Sequence, residues 1–317
     1  MTLKVWMINH YALAPDQAGG TRHYTLARHM QELDIQTTIF ASSRDYLTQQ
    51  DAHLLGNEKS RVSLEQGVPY VWLSAPAYRG NGLGRVRNMT EFTLGLLRWK
   101  KPGRMDPPDI VVGSSPHLFA ALAAYVLARR YRVPFVLEIR DLWPKSFIEL
   151  LKVPRTHPFI LLLAFIEKFL YRHSDLIVGV LPGVGNHVRR TNSIARPFIW
   201  IPNGIDTQLH SRNDHDQTEV PSRGISEPRF ANPAPKLNPH RFSVMYAGAH
   251  GVPNSLETAL EAAELLQREG HTHIQLTFVG EGIEKENLMR RAGKRRLDKN
   301  YVFWDRALWS GQLPSCV

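Results

Sequence analysis

The chain has 317 residues, 43% of them hydrophobic and 21% charged, a balance that can bury a core and excludes a disordered or collagen-like polypeptide. Its single cysteine, Cys316, excludes a disulfide framework, and the longest apolar run, Phe159–Ile166, is too short to cross a bilayer. A net charge of +10 attracts anions, whether nucleic acid, phosphate-bearing substrates or an anionic membrane face, without choosing among them.

The opening MTLKVWMINHY reads as a first strand, Val5–Asn9, and not as a signal peptide, because no basic segment precedes its apolar stretch. A soluble protein in a reducing compartment is expected. Gly19-Gly20-Thr21 opens a helical pattern that runs through Tyr24, Leu26, Ala27, Met30 and Leu33. Ile35–Ala41 and Val68–Leu73 are β-branched, aromatic and strand-like. Between Arg85 and Arg104 the basic residues Arg85, Arg87, Arg98, Lys100, Lys101 and Arg104 face one acid, Glu91, with Phe92 and Trp99 among them. Asp109–Val112 and Pro134–Ile139 flank an Ala- and Leu-rich helix, Leu118–Arg130, and Asp175–Val180 and Pro197–Ile201 repeat the pattern. Strands alternating with helices predict an α/β fold whose parallel sheet is covered on both faces.

From Thr207 to His240 five prolines and many polar residues leave no periodicity, which predicts a linker or loop. Alternation then resumes with Phe242–Ala247 as strand, Asn254–Glu269 as helix, His273–Gly280 as strand, Glu284–Ala292 as helix and Tyr301–Trp304 as strand. The expected organisation is an N-terminal domain over 1–206, a Pro-rich linker over 207–240 and a second α/β domain over 241–317. That second domain is short for a doubly wound unit and is expected to be incomplete.

Four places could carry chemistry. Gly19-Gly20 before a helix start makes an anion site in which backbone amides meet a phosphate, or simply a turn that needs glycine. Glu138-Ile139-Arg140-Asp141-Leu142-Trp143-Pro144 puts charges at the carboxyl end of a strand, where parallel sheets bind ligands; the plainer reading is an Arg140–Asp141 surface cluster. His117 belongs to the same sheet end, or caps a helix in solvent. The apolar stripe Phe159, Leu162, Leu163, Ile166, Phe169 and Leu170 has helical spacing, which suits core packing first and a membrane surface second. Asp214-His215-Asp216 lies in the irregular segment and is assigned no metal. No nucleic-acid module is present, so nucleic acid is not an expected partner.

Taken in order, KVWMINHYALAPDQAGGTRHYTLARHM, LEIRDLWP, HSDLIVGVLPG, IPNGID, MYAGAHG and FVGEG resemble the GT-B glycosyltransferases of family four. More narrowly, they are similar to the bacterial O-antigen and capsule transferases related to the N-acetyl-L-fucosamine transferase. The resemblance implies two Rossmann-like domains, an acceptor side in the first and a nucleotide sugar in the second, with no metal and no cofactor besides the donor. It implies retaining transfer to a polyprenyl-diphosphate-linked saccharide by a cytoplasmic protein, peripheral at the inner face of the cytoplasmic membrane. Gly19, Gly20, Gly248, Gly280 and Gly282 match the family's donor-side glycines, and His250 and Asn254 share that region. Many relatives carry a His where this chain reads Ser114-Ser115-Pro116; His117 is displaced from it, and it and Asp141 are the catalytic candidates, with Arg140 and Trp143 on the acceptor side. The Arg and Lys that many relatives carry after the Gly248 position are replaced here by Ala249, His250 and Asn254. The family's E-x7-E acid pair is expected beyond residue 317. The alternatives are a nucleotide-sugar 2-epimerase of the same fold and a non-catalytic remnant that binds nucleotide sugar or membrane.

Overall fold

The structure, a computed structural model, describes residues 2–15, 17, 21–45, 49–78, 80, 82–103, 105–191, 196–204, 241–271, 273–297 and 302–305. Gly19, Gly20, the 207–240 segment and Cys316 lie outside them. The chain divides into two compact units, Met1–Asp206 and Thr207–Val317.

In the first unit the elements are β1 (Leu3–Ile8), α1 (Arg22–Gln31), β2 (Ile35–Ser42), β3 (Ser60–Glu65), β4 (Val68–Leu73), α2 (Leu83–Arg98) and β5 (Ile110–Ser114). They continue with α3 (Leu118–Tyr131), β6 (Phe135–Ile139), α4 (Lys145–Leu151), α5 (Pro158–His173), β7 (Leu176–Gly179), α6 (Val184–Thr191) and β8 (Phe198–Trp200). Eight strands form one sheet in the order β3-β4-β2-β1-β5-β6-β7-β8. All pairs are parallel except β3 with β4.

Both faces of the central strands are covered, which is why β1 is apolar at consecutive positions and does not alternate. Val5 and Met7 pack with Tyr24 and Ala27 of α1. Trp6 and Ile8 point the other way, into a core shared with α2, α3, α5 and α6. A Cβ at Gly113 of β5 would come within 2.7 Å of the Ala124 side chain, so glycine there lets α3 lie close on the sheet.

The second unit contains β9 (Phe242–Ala247), a 3-10 turn (Val252–Asn254), α7 (Leu256–Arg268), β10 (Ile274–Val279), α8 (Lys285–Lys294) and β11 (Val302–Asp305). Its three described strands are parallel in the order β11-β10-β9. Leu256, Leu260, Phe278 and Leu288 form its core. Glu257 of α7 ties the two helices together through Arg291 at 3.0 Å and Arg295 at 2.6 Å.

The structure departs from the sequence reading at three elements. β3 is an antiparallel edge strand joined to β4 by Gln66-Gly67, both at positive φ (45° and 89°), the geometry of a two-residue hairpin turn. α2 occupies the segment read only as a basic run. Phe92 is fully buried on it, and Trp99 packs edge-on against Trp6 and Phe40, so these aromatics belong to the core. α4 follows the LEIRDLWP segment. Among the described residues no helix is long and apolar enough to cross a membrane.

Candidate active site

β1 and β5 are neighbours, yet the chain leaves β1 toward β2 on one side and returns to β5 on the other. Sheets of this kind bind ligands outside the carboxyl ends of the strands at such a reversal. The residues at that edge are Asn9 and His10 after β1, Ser114, Ser115 and His117 at the end of β5, Glu138 near the end of β6, and Arg22 and His23 at the start of α1.

Glu138 is the hub. Its Oε1 accepts from Arg22 Nε at 2.9 Å, and its Oε2 accepts from Ser114 Oγ at 2.7 Å and His23 Nε2 at 2.9 Å. Asn9 Oδ1 accepts from the Tyr11 amide at 3.0 Å, which turns Asn9 Nδ2 toward His23 Nδ1 at 3.1 Å. His23 Nδ1 is therefore an acceptor, and the ring proton sits on Nε2, facing the carboxylate. Burial pushes the Glu138 carboxyl up, but the His23 contact, the Ser114 hydroxyl and the Arg22 charge together hold it well below the usual carboxylate range. Arg22 goes further: its guanidinium also donates to the carbonyls of Ile201 at 2.9 Å and Pro202 at 2.6 Å. One buried carboxylate thus joins β1, α1, β5 and β6, and through Arg22 the segment after β8.

His117 is 1% exposed. Its Nδ1 caps α3 by accepting from the Ala120 amide at 3.3 Å, and its Nε2 lies 2.8 Å from His10 Nδ1. The pattern assigns His117 the Nε2–H tautomer, donating to His10, which in turn carries its proton on Nε2. Burial and the nearby Arg85 charge lower His117 to about 3. His10 is also lowered, by burial, His117 and Arg85. The catalytic role expected of His117 is corrected on this geometry: both ring nitrogens are engaged and the ring is covered, so it sets the position and tautomer of His10.

The LEIRDLWP segment divides. Asp141 keeps an exposed face, while partial burial of its carboxyl raises its pKa above the usual value against the charges of Arg140 and Arg85. The Arg140 amide donates to Ser115 Oγ at 3.3 Å, tying the end of β6 to β5. Trp143, expected on the acceptor side, is 6% exposed and packs in the core against Phe147 at 4.7 Å, so it offers no face to a sugar.

In the second unit the loops after β9 and β10 interlock. The Gly248 amide donates to Val279 O at 2.9 Å, the His250 amide to Glu281 O at 2.9 Å, and the Glu284 amide to His250 O at 3.0 Å. A Cβ at Gly280, whose φ is +147°, would strike the Gly248 carbonyl, and one at Gly282 the His250 carbonyl, so this close approach by itself requires both glycines. Asn254 Nδ2 donates to Ala249 O at 2.6 Å and braces the first loop. His250 is buried, and burial together with the Lys285 charge lowers its pKa against the pull of Glu281. Lys285, which the sequence reading did not single out, donates to Gly280 O at 2.9 Å and pairs with Glu281 at 2.8 Å. Among the described residues no group of three or more His, Cys, Asp or Glu is placed to hold a metal ion.

Two α/β units with parallel sheets, the first with a polar edge at its strand reversal, define the GT-B class. Sucrose-phosphate synthase from Thermosynechococcus elongatus shares this fold with a TM-score of 0.64 at 12% identity, covering 97% of this chain and 71% of that one. The catalytic domain of starch synthase IV from Arabidopsis thaliana, bound to ADP and acarbose, gives 0.57 at 13% identity, covering 98% and 75%. HepE of Anabaena, in complex with UDP and glucose, gives 0.56 at 12% identity, covering 96% and 70%. Residues 18–204 match the glycosyl transferase 4-like domain, and the chain belongs to that family. No curated protein matches the chain.

Proposed function

We propose that the protein moves a sugar from a nucleotide-diphosphate donor to a polyprenyl-diphosphate-linked saccharide in surface polysaccharide assembly, such as O-antigen or capsule. Transfer proceeds with retention of anomeric configuration, at the inner face of the cytoplasmic membrane. The observation that carries transfer is the family match over 18–204, which spans the unit that owns the polar edge. Similar folds holding UDP with glucose, or ADP, support a nucleotide-sugar donor. A chain of net charge +10 suits a donor and an acceptor that both carry diphosphates.

In this reading Arg140 and Arg85 meet the anionic acceptor. Asp141, an exposed carboxylate with a raised pKa, is the group best placed by chemistry to handle the acceptor hydroxyl proton. The glycine segment Gly19-Gly20 and the loops around Gly248, His250, Asn254, Gly280 and Gly282 serve the donor. No metal ion or further cofactor is invoked. The test is incubation of the purified chain with labelled UDP-, GDP- and ADP-sugars and a polyprenyl-diphosphate saccharide. Nucleotide-dependent labelling of the lipid fraction, with the product anomer read by NMR, is the expected result. Failure both to bind and to transfer from every nucleotide sugar would overturn the reading.

A further inference from the structure

The first half of helix α5, Pro158–Ile166, is apolar all the way round. Ile160, Leu163, Ile166 and Leu170 are buried in the first unit, while Leu161, Leu162 and Phe165 stand 57%, 47% and 69% exposed. These three fall at i, i+1 and i+4 and share one face. A helix on a water-facing surface carries polar residues there, because exposed apolar area gains nothing from the core. Of the stripe read from the sequence only Leu162 stands outside the core, and Leu161 and Phe165 beside it widen the exposed face.

The exposed charges carried by α5 and its neighbour α3 have one sign. α3 lies between α2 and α5 and runs alongside α5 in the same direction, as the Phe119–Phe159 and Tyr125–Phe169 ring contacts show. α3 contains no acid, and the one acid of α5, Glu167, is buried and bonded to Tyr171 and His187 at 2.9 Å each. The exposed charges on the two helices are Arg129, Arg130 and Lys168; Arg130 turns to α2, where it donates to Leu97 O at 3.1 Å, while Lys168 follows Phe165 by one turn on the same face of α5.

We propose that Leu161, Leu162 and Phe165, with Lys168 one turn further along the same face and Arg129 at the end of α3, dock the protein on an anionic lipid surface. The apolar side chains enter the headgroup boundary and the cations meet lipid phosphates. A second copy of the chain fits less well. It would bring the same positive charge to the contact, and three side chains fall far short of the roughly 1,000 Å² that a specific protein interface buries. The proposal extends the membrane reading above, yet its test needs no turnover.

The experiment is flotation of the full chain with vesicles of phosphatidylcholine alone and of phosphatidylcholine with phosphatidylglycerol, at low and high salt. Binding is expected on the anionic vesicles and is weakened by salt. The double variant Leu161→Ser/Phe165→Ser is expected to lower partitioning by at least about tenfold, a change equivalent to 1.4 kcal/mol. Both side chains are more than half exposed, so an unchanged melting midpoint serves as the folding control. Arg129→Glu/Lys168→Glu should abolish the preference for anionic lipid and leave residual apolar binding. Equal flotation on both vesicle types, full retention by the serine variant, or a dimer in light scattering that Phe165→Ser dissolves would each overturn the assignment. A chain that transfers sugar to a water-soluble acceptor but never floats would keep the proposed chemistry and lose this surface.

Discussion

Replacing Glu138 by glutamine probes the charge that organises the strand edge. The carboxylate receives three donors, from Arg22, His23 and Ser114, at 2.7–2.9 Å. Glutamine keeps the shape but offers one acceptor oxygen and one NH2, so a donor now faces a donor. Ser114 can answer by reversing its hydroxyl. His23 cannot, because its Nδ1 already accepts from Asn9, and Arg22 has no acceptor atom at all. One or two charge-assisted bonds are lost at about 1.5–3 kcal/mol each. Arg22, whose side chain is 7% exposed, is then left without a counter-charge. The expected destabilisation is about 3–5 kcal/mol, as for breaking a buried pair. For a unit of this size that lowers Tm by roughly 6–20 °C. Thermal melts by near-ultraviolet circular dichroism at pH 7 read it directly. Because the folded carboxyl lies below its unfolded value of about 4.3, its contribution is present at neutral pH and fades as pH falls through the folded pKa. The gap between wild type and variant should therefore be flat near pH 7 and close only in strong acid. An apolar replacement of both partners, Arg22→Met with Glu138→Leu, should recover much of the loss. A Glu138→Gln protein melting within about 1 kcal/mol of wild type at pH 7 would refute the pairing.

Two further outcomes are expected. His117 is neutral when folded down to about pH 3 and takes up a proton near 6.5 when unfolded, so it contributes stability above about 6.5 that is lost as pH falls toward 3. His117→Asn keeps a capping side chain and should remove up to about 1.4 kcal/mol per pH unit of that slope in urea titrations, and an unchanged slope would count against the buried neutral pair. Gly280→Ala forces a Cβ into the Gly248 carbonyl at positive φ and should destabilise the second unit by at least about 2 kcal/mol, seen as faster hydrogen exchange in β9 and β10; unchanged exchange would mean the loops do not interlock.

The α/β alternation was legible because each buried parallel strand is a short run of apolar residues bounded by polar ones, as in Phe135–Ile139. β3 was not, because Ser60–Glu65 is largely polar and its turn is Gln-Gly, without the asparagine or aspartate that usually signals a hairpin. α2 was hidden by its arginines, although Asn88, Met89, Phe92 and Leu96 mark its buried face at helical spacing. At the site, the charged end of β6 was legible from position alone. Asn9, His10, Arg22 and His23 were not, because their roles depend on partners such as Glu138, 116 residues from Arg22. Trp143 misled for the same reason: its ring suggests a sugar platform, and only the packing on Phe147 shows it is core.

The two histidines and the arginines of the edge divide the work of charge. A protonated His10 or His117 would sit beside Arg85 in a buried place, and both burial and that repulsion keep the rings neutral. Glu138, for its part, is fully matched by donors and presents no free charge outward. The charged side chains at the end of this sheet include Arg85, Arg140 and Asp141, tied to the ends of β5 and β6 or to the helix between β4 and β5. Histidines on a cationic protein would ordinarily make anion attraction vary between pH 5 and 8. Here the hydrogen-bond chain from the α3 amide through His117 to His10 removes that variable. The positive charge at this edge comes from arginines, which do not titrate in that range, while the histidines hold the backbone that carries them.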